Sequence, residues 1–257
     1  MSQRVRLLRD GAIGRIILAR PEKKNALDRL MADELFAALA QFEQDPACRV
    51  IHLGAEGSDF CAGTDLSALE RTLDAGPEAN REDAEALGRV LLAIRALMKP
   101  VVCTVRGRAL AAGAGLATAC DIVLAHEGAE LGYPEIRIAF VPAMVMTMLR
   151  RAVGEKHAAD LVLTGRIISA EEAERIGLVS RVVPAATFDE EINATLEQIS
   201  QAPATSLALT KWLFYKLDAL SFEDGIAAGV VTDVEARATD DFRNGLRRFL
   251  QEPQRPE

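Results

Sequence analysis

Apolar and polar positions along the chain switch repeatedly between two periods. Residues 5–9 and 13–18 are rich in β-formers and flank Asp10-Gly11, which predicts a hairpin. Asp28 is placed to cap a helix running to about Asp45, with Leu30, Leu35, Leu39 and Phe42 near one stripe. Residues 50–54 read as a short strand, and a loop containing Gly and Ser follows to Leu66. Residues 71–82 are polar and carry Asp74-Ala-Gly-Pro77, which predicts a mobile loop. Helical period returns over 84–98, Pro100 stops it, and 101–105 is a strand. Small residues fill the next stretch to Gly115, after which 116–120 reads as helix and 121–125 as strand. Pro142 is expected to open a helix at its first position, with Met144, Met146 and Met148 inside it. Ser169-Ala-Glu-Glu172 forms a capping box, Gly177 ends that helix, and 179–183 is a strand.

After Pro184 the pattern is helical throughout: roughly 188–200, 205–216, 222–236 and 241–250. No repeat and no low-complexity segment interrupts the chain. The expected architecture is therefore α/β, with a core over residues 1–187 and a helical C-terminal region over 188–257.

Composition narrows the function classes. A chain of 257 residues should expose roughly 11,000 Å² when folded against roughly 40,000 Å² unfolded, so it needs no disulfide or metal staple. Hydrophobic residues at 49% and charged residues at 26% are ordinary globular usage. The net charge of −8 has the wrong sign for a sequence-independent nucleic-acid binder, and aromatics at 5% give little stacking surface. Cys48, Cys61, Cys103 and Cys120 make no CxxC pair and read as reduced core thiols of a cytoplasmic protein. There is no apolar run of 18 residues and no signal-peptide pattern, so neither a membrane nor export is expected.

His52, His126 and His157 lack metal-ligand spacing, so no metal site is expected. No G-x-S-x-G elbow is present, and Thr118 stands where a dinucleotide loop would need its third glycine. Two small-residue loops remain, each after a strand: Phe60-Cys-Ala-Gly-Thr-Asp-Leu66 and Leu110-Ala-Ala-Gly-Ala-Gly115. Such loops can offer backbone N–H groups to an oxyanion, the second with a helix dipole behind it. They can equally serve tight packing alone.

Seven segments in order carry a resemblance. They are Arg20-Pro-Glu-Lys-Lys-Asn-Ala-Leu27, Cys61-Ala-Gly-Thr-Asp-Leu66, Lys99-Pro-Val101, the loop ending at Gly115, and Ala119-Cys-Asp-Ile122. Gly132-Tyr-Pro-Glu-Ile136 follows, and then Leu163-Thr-Gly165 through Ser169-Ala-Glu-Glu-Ala173 to Gly177-Leu-Val179. This order resembles the enoyl-CoA hydratase/isomerase (crotonase) superfamily over about residues 5–250. The resemblance implies a spiral of ββα turns followed by helices that trimerise, often as a dimer of trimers. It implies an acyl-CoA substrate, with coenzyme A as part of that substrate and no other cofactor. An enolate oxygen would be held by the N–H groups of Thr64 and Ala112. Ala62, Leu66 and Gly115 would line the substrate site. Lys23 and Lys24 are candidates for the coenzyme A phosphates, or simply solvated lysines on a turn.

The side-chain chemistry departs from the pattern. Hydratases of this family commonly use two glutamates. One position matches Glu135, which an apolar pocket of Ile136, Ile138 and Phe140 would tune as an acid/base. The other falls on Gly115, which has no side chain. Pro142-Ala-Met-Val-Met146 also replaces the family's Pro-x-x-Gly-Gly. Together with Gly115, Phe140-Val-Pro-Ala143 is similar to a bacterial subgroup assigned to branched substrates such as 3-methylglutaconyl-CoA. The resemblance implies hydration of a 2-enoyl-CoA. A Δ3,Δ2-enoyl-CoA isomerase, which needs one carboxylate, and an acyl-CoA-binding paralogue with little turnover are the alternatives.

Overall fold

A computed structural model describes residues 3–251. In chain order the elements are β1 (Val5–Asp10), β2 (Ile13–Leu18), α1 (Arg29–Gln44), β3 (Val50–Ala55), α2 (Leu66–Arg71), α3 (Pro77–Ala96), β4 (Val101–Val105), β5 (Arg108–Leu110) and α4 (Ala112–Ala119). They continue as β6 (Ile122–His126), β7 (Glu130–Gly132), α5 (Met146–Thr164), β8 (Ile167–Ser169), α6 (Ala170–Arg175) and β9 (Arg181–Val183). Four helices close the chain: α7 (Phe188–Ser200), α8 (Ala204–Lys216), α9 (Phe222–Arg237) and α10 (Asp240–Gln251).

The predicted hairpin forms, with Val5 opposite Leu18 and Gly11 at φ 54° in its turn. Its second strand begins a parallel run, giving a six-stranded sheet in the order β1-β2-β3-β4-β6-β9. A smaller sheet, β5-β7-β8, is made of three-residue strands that periodicity could not reveal. One face of the large sheet packs on α1, α3 and α4 through Ile16, Leu35, Leu39, Leu53, Ile94 and Leu116. The other face carries Val50, Val102 and Leu124 under Phe188, Ile192 and Leu196 of α7. The expected boundary after residue 187 thus falls just before a helix that packs on the sheet.

Asp28 caps α1, accepting from the Met31 N–H at 3.0 Å, and Ser169 caps α6, accepting from the Glu172 N–H at 3.3 Å. The α1 stripe is Met31, Leu35, Ala38, Leu39 and Phe42, with Leu30 half-buried beside it. Three expectations fail. Residues 77–82 are not loop but the first turns of α3, opened by Pro77 at its N-terminus with the polar run facing solvent. Pro142 does not open a helix: 143–145 form a turn and α5 starts at Met146. Helix α4 starts at Ala112, four residues early, because Gly113 and Gly115 lower its apparent propensity while burial sustains it.

Helix α8 is tied to the core by one buried cation. Lys211 donates to the carbonyls of Ile94 and Lys99, both at 2.9 Å, and pairs with Asp121 at 2.7 Å. Tyr215 donates to the same Asp121 at 2.6 Å. Lys99 in turn donates to the carbonyls of Glu43 and Asp45 at the end of α1. Beyond these anchors the last three helices bury little: Phe222 is 80% exposed and Phe214 67%, and Ile226, Val230 and Val234 are exposed as well. All four cysteines are buried and unpaired. No helix among the described residues is long and apolar enough to cross a membrane.

Candidate active site

The two small-residue loops meet. Cys61 accepts from the Leu110 N–H and donates its own N–H to the Arg108 carbonyl, both at 3.0 Å. Gly63 and Gly113 make this approach possible. A Cβ at Gly63 would lie 3.0 Å from the Ala111 Cβ, and one at Gly113 only 2.3 Å from the Cys61 carbonyl oxygen. On its far side the first loop is held by Leu27, which donates to the Gly63 carbonyl and accepts from the Asp65 N–H, each at 2.7 Å. Leu27 is thus bonded to the residues flanking Thr64, so the N–H of Thr64 points off the opposite edge.

Ala111 sets up the second donor. It takes φ 50° and ψ −122°, a backbone that costs a non-glycine residue about 1–3 kcal/mol. The turn is over-determined: the Ala111 N–H donates to the Gly132 carbonyl at 2.8 Å, and its own carbonyl accepts from the Gly115 N–H at 2.9 Å. Ala112 follows as the first residue of α4, where a helical N–H has no intrahelical acceptor.

Thr64, Ala112 and Glu135 all line one cavity of about 640 Å³, as do Ala62 and Leu66. Glu135 sits on a 3₁₀ turn, Pro134–Ile138, and is the only residue of that turn that is buried, at 8% exposure. Its Oε2 is buried without a hydrogen-bond partner, and burial pushes its carboxyl above the ordinary glutamate range. The surrounding wall differs from the expected trio. Ile138 and Phe140 line the cavity, but Ile136 turns away and packs over Gly165. Met144, Val145 and Leu87 take its place.

Three further expected residues lie outside the cavity. Gly115 is buried beneath it, and a Cβ there would sit 2.3 Å from Val145 Cγ1. Val145 therefore fills the space that a side chain at 115 would claim. Lys23 and Lys24 are exposed on a 3₁₀ turn and are not among the lining residues. The cations that do line it are Arg29 and Arg137.

The neighbouring Asn25 is structural. Fully buried, it donates to the Glu56 and Asp59 carbonyls at 2.8 and 2.9 Å and accepts from the Arg20 N–H at 2.8 Å.

A second cavity, about 520 Å³, lies by α7 and includes none of Lys23, Lys24, Ala62, Thr64, Leu66, Ala112, Gly115 and Glu135. Its polar groups are paired internally: His52 with Thr104 at 2.8 Å, Arg15 with Asn193 at 3.0 Å, and Arg106 with Asp189 at 3.2 Å.

A cavity with two backbone donors and one buried, unpartnered carboxyl suits a reaction that builds negative charge on a carbonyl oxygen while a proton moves nearby. Comparison with known proteins gives the family. The family model described as enoyl-CoA hydratase/isomerase matches residues 9–256. The chain belongs to the enoyl-CoA hydratase/isomerase family. A Thermus thermophilus protein carrying an enoyl-CoA hydratase name is 42% identical over 94% of this chain and 95% of its own. The crystal structure of a Mycobacterium smegmatis enoyl-CoA hydratase superposes with a TM-score of 0.93 at 31% identity, covering 100% and 99% of the two chains. Human enoyl-CoA hydratase domain-containing protein 3 gives 0.93 at 29% identity over 99% and 100%. The crotonase-like fold expected from the motif order is thus the fold observed.

Asp65, beside Thr64 but not on the cavity wall, holds its own loop. It accepts from the Ser67 N–H at 2.9 Å and the Ser67 hydroxyl at 2.6 Å, and pairs with Arg20 at 2.7 Å. The Ser67 hydroxyl, with Arg20, holds its pKa down at about 2. A depressed carboxylate pKa stabilises the fold above the unfolded value near 4, and that contribution is lost as pH falls toward 2. The shift corresponds to about 2 kcal/mol. Asp65→Asn should lower the melting temperature at pH 7 and flatten the acid limb of the stability curve. Thermal melts between pH 2 and 7 check this.

Proposed function

We propose that the chain adds water across the double bond of a 2-enoyl-CoA thioester, with Glu135 as the sole side-chain acid/base. The observation that carries this reading is the buried, unpartnered Glu135 Oε2 in the same cavity as Thr64 and Ala112. The Glu135 carboxylate takes a proton from water as the water oxygen bonds to C3. The π pair moves toward the thioester, and the N–H groups of Thr64 and Ala112 hold the resulting enolate oxygen. Collapse of the enolate returns the proton from Glu135 to C2. The names of the relatives support hydration.

One observation favours a second reading, Δ3,Δ2-enoyl-CoA isomerisation. With Val145 closing the space above Gly115 and Asp65 engaged by Ser67 and Arg20, Glu135 has no carboxylate partner from either residue. Moving a proton between C4 and C2 needs only one.

Incubation of the purified chain with crotonyl-CoA and with a 3-enoyl-CoA, followed by mass spectrometry, tests the proposal. Hydration adds one water to crotonyl-CoA. Conversion of the 3-enoyl-CoA alone establishes the isomerase. No change in either, with acyl-CoA bound, leaves an acyl-CoA-binding paralogue.

Branched substrates such as 3-methylglutaconyl-CoA are part of this proposal. Arg29 and Arg137 on the cavity wall suit a second, terminal carboxylate. Lys23 and Lys24 are assigned to the coenzyme A phosphates from outside the cavity.

The proposal extends to assembly as a homotrimer or a dimer of trimers. The isolated chain exposes 14218 Å², against roughly 11,000 Å² for a compact monomer of this length. Exposed Phe214, Phe222, Ile226 and Val230 show where apolar surface is left uncovered. Light scattering at micromolar concentration should give three or six times the chain mass; a monomer overturns the assignment.

A further inference from the structure

The reaction proposed above needs a fixed separation between the Ala112 donor and the Glu135 carboxyl. The first lies at the start of α4 and the second on the 3₁₀ turn after β7. Helix α4 is poor in side chains that could hold its orientation: its sequence is Ala-Gly-Ala-Gly-Leu-Ala-Thr-Ala. One tie between the two elements is main-chain, from the Ala111 N–H to the Gly132 carbonyl at 2.8 Å. A single tie at the helix start fixes that end in place but leaves the direction of the axis to the packing of its small, buried side chains.

A second tie lies along the helix. Tyr133 is fully buried, and its hydroxyl lies 2.6 Å from Thr118 Oγ1. Thr118 Oγ1 also lies 2.7 Å from the Ala114 carbonyl oxygen, which can only accept. The single Thr118 hydroxyl proton is therefore committed to Ala114, and Tyr133 must donate to Thr118. Thr118 is six residues beyond Ala112, about 9 Å along the helix axis. On the other side, Tyr133 reaches Glu135 through Pro134 alone, whose ring fixes its φ. The far end of α4 is held as well, since Arg95 donates to the Thr118 carbonyl at 2.8 Å and lies 4.3 Å over the Tyr215 ring.

We propose that Tyr133 and Thr118 are positioning residues that lock the axis of α4 against the Glu135 turn, so that donor and proton carrier keep their catalytic separation. Neither lines the cavity. Their effect passes through Ala112 and Glu135, so the inference rests on the function proposed above.

Tyr133→Phe removes the donated proton and keeps the ring. The expected result is a kcat about 10-fold lower with KM within two-fold of wild type. The ultraviolet band of enolised acetoacetyl-CoA bound to the variant should weaken in parallel, since that band reports the oxyanion donors. Thr118→Ser keeps the hydroxyl and should restore wild-type kcat, whereas Thr118→Val should match Tyr133→Phe. The double variant should be no worse than either single one.

Wild-type kcat in folded Tyr133→Phe overturns the proposal, and so does a loss in Thr118→Ser equal to that in Thr118→Val. Amide hydrogen exchange over residues 112–119 supplies a readout independent of turnover. Faster exchange in Tyr133→Phe supports the lock, and unchanged exchange overturns it. If the wild-type chain shows neither turnover nor an enolate band, the proposed function fails. The exchange measurement still decides the lock.

Discussion

Glu135→Gln lowers turnover of an enoyl-CoA by about 10²–10⁴-fold, the range for loss of a sole general acid/base. The substitution keeps the shape and removes the titration, and the site around it is already apolar. Removing a buried carboxyl whose Oε2 has no partner should leave the fold at least as stable, so the loss would be chemical. The wild-type pH profile carries a second signature. Burial raises the Glu135 pKa, so an activity that begins with the carboxylate should decline on the acid side above the ordinary glutamate range. Wild-type kcat in Glu135→Gln would overturn the mechanism while leaving the fold intact. Gly115→Glu alone, an intuitive way to restore a second carboxylate, should block the site, because its Cβ would lie 2.3 Å from Val145 Cγ1. Any gain in hydration requires Val145→Gly in the same chain. A single Gly115→Glu variant that is folded and faster than wild type would contradict this packing.

What could be read from the residues divides along a physical line. Long amphipathic stretches and strands of five or six residues announced themselves by period, and Asp28 and Ser169 by capping chemistry. Proline at a helix start misled in both directions. Pro77 opens α3, where the adjacent Gly76 made it look like a breaker; Pro142 stands four residues ahead of α5 on the cavity wall. The difference lies in tertiary contacts, which no local signal encodes. The two small-residue loops left oxyanion donation and tight packing as rival readings, and the structure makes them compatible. Gly63 and Gly113 are packing residues, and their packing brings Thr64 and Ala112 to one cavity. The exchange between Gly115 and Val145 joins positions 30 apart, and the Tyr133–Thr118 bond joins positions 15 apart. Neither leaves a pattern within one element. The strained φ of Ala111 is equally silent, since alanine is no signature of a left-handed turn.

Ala112→Pro should lower kcat by about 10²–10³-fold while acyl-CoA still binds, because it deletes one oxyanion donor and little else. Position 112 is the first of α4, where proline is tolerated: its missing N–H has no intrahelical acceptor and its φ suits a helix. The strain falls on the residue before it. Proline pushes its predecessor toward extended backbone, whereas Ala111 sits at φ 50° and ψ −122°. Ala111→Gly accepts that conformation without a Cβ penalty and should by itself keep near-wild-type kcat. The decisive variant is therefore the pair Ala111→Gly with Ala112→Pro. It should retain the circular dichroism of the wild type and bind a saturated acyl-CoA within a few-fold of its affinity. It should lose the rate and the enolate band of bound acetoacetyl-CoA together. A saturated acyl-CoA builds no charge on its carbonyl oxygen, so ground-state binding needs the donor far less than the transition state does. Loss of affinity equal to the loss of rate would make Ala112 a binding contact instead. Full kcat in the folded pair would remove the oxyanion assignment from α4 altogether.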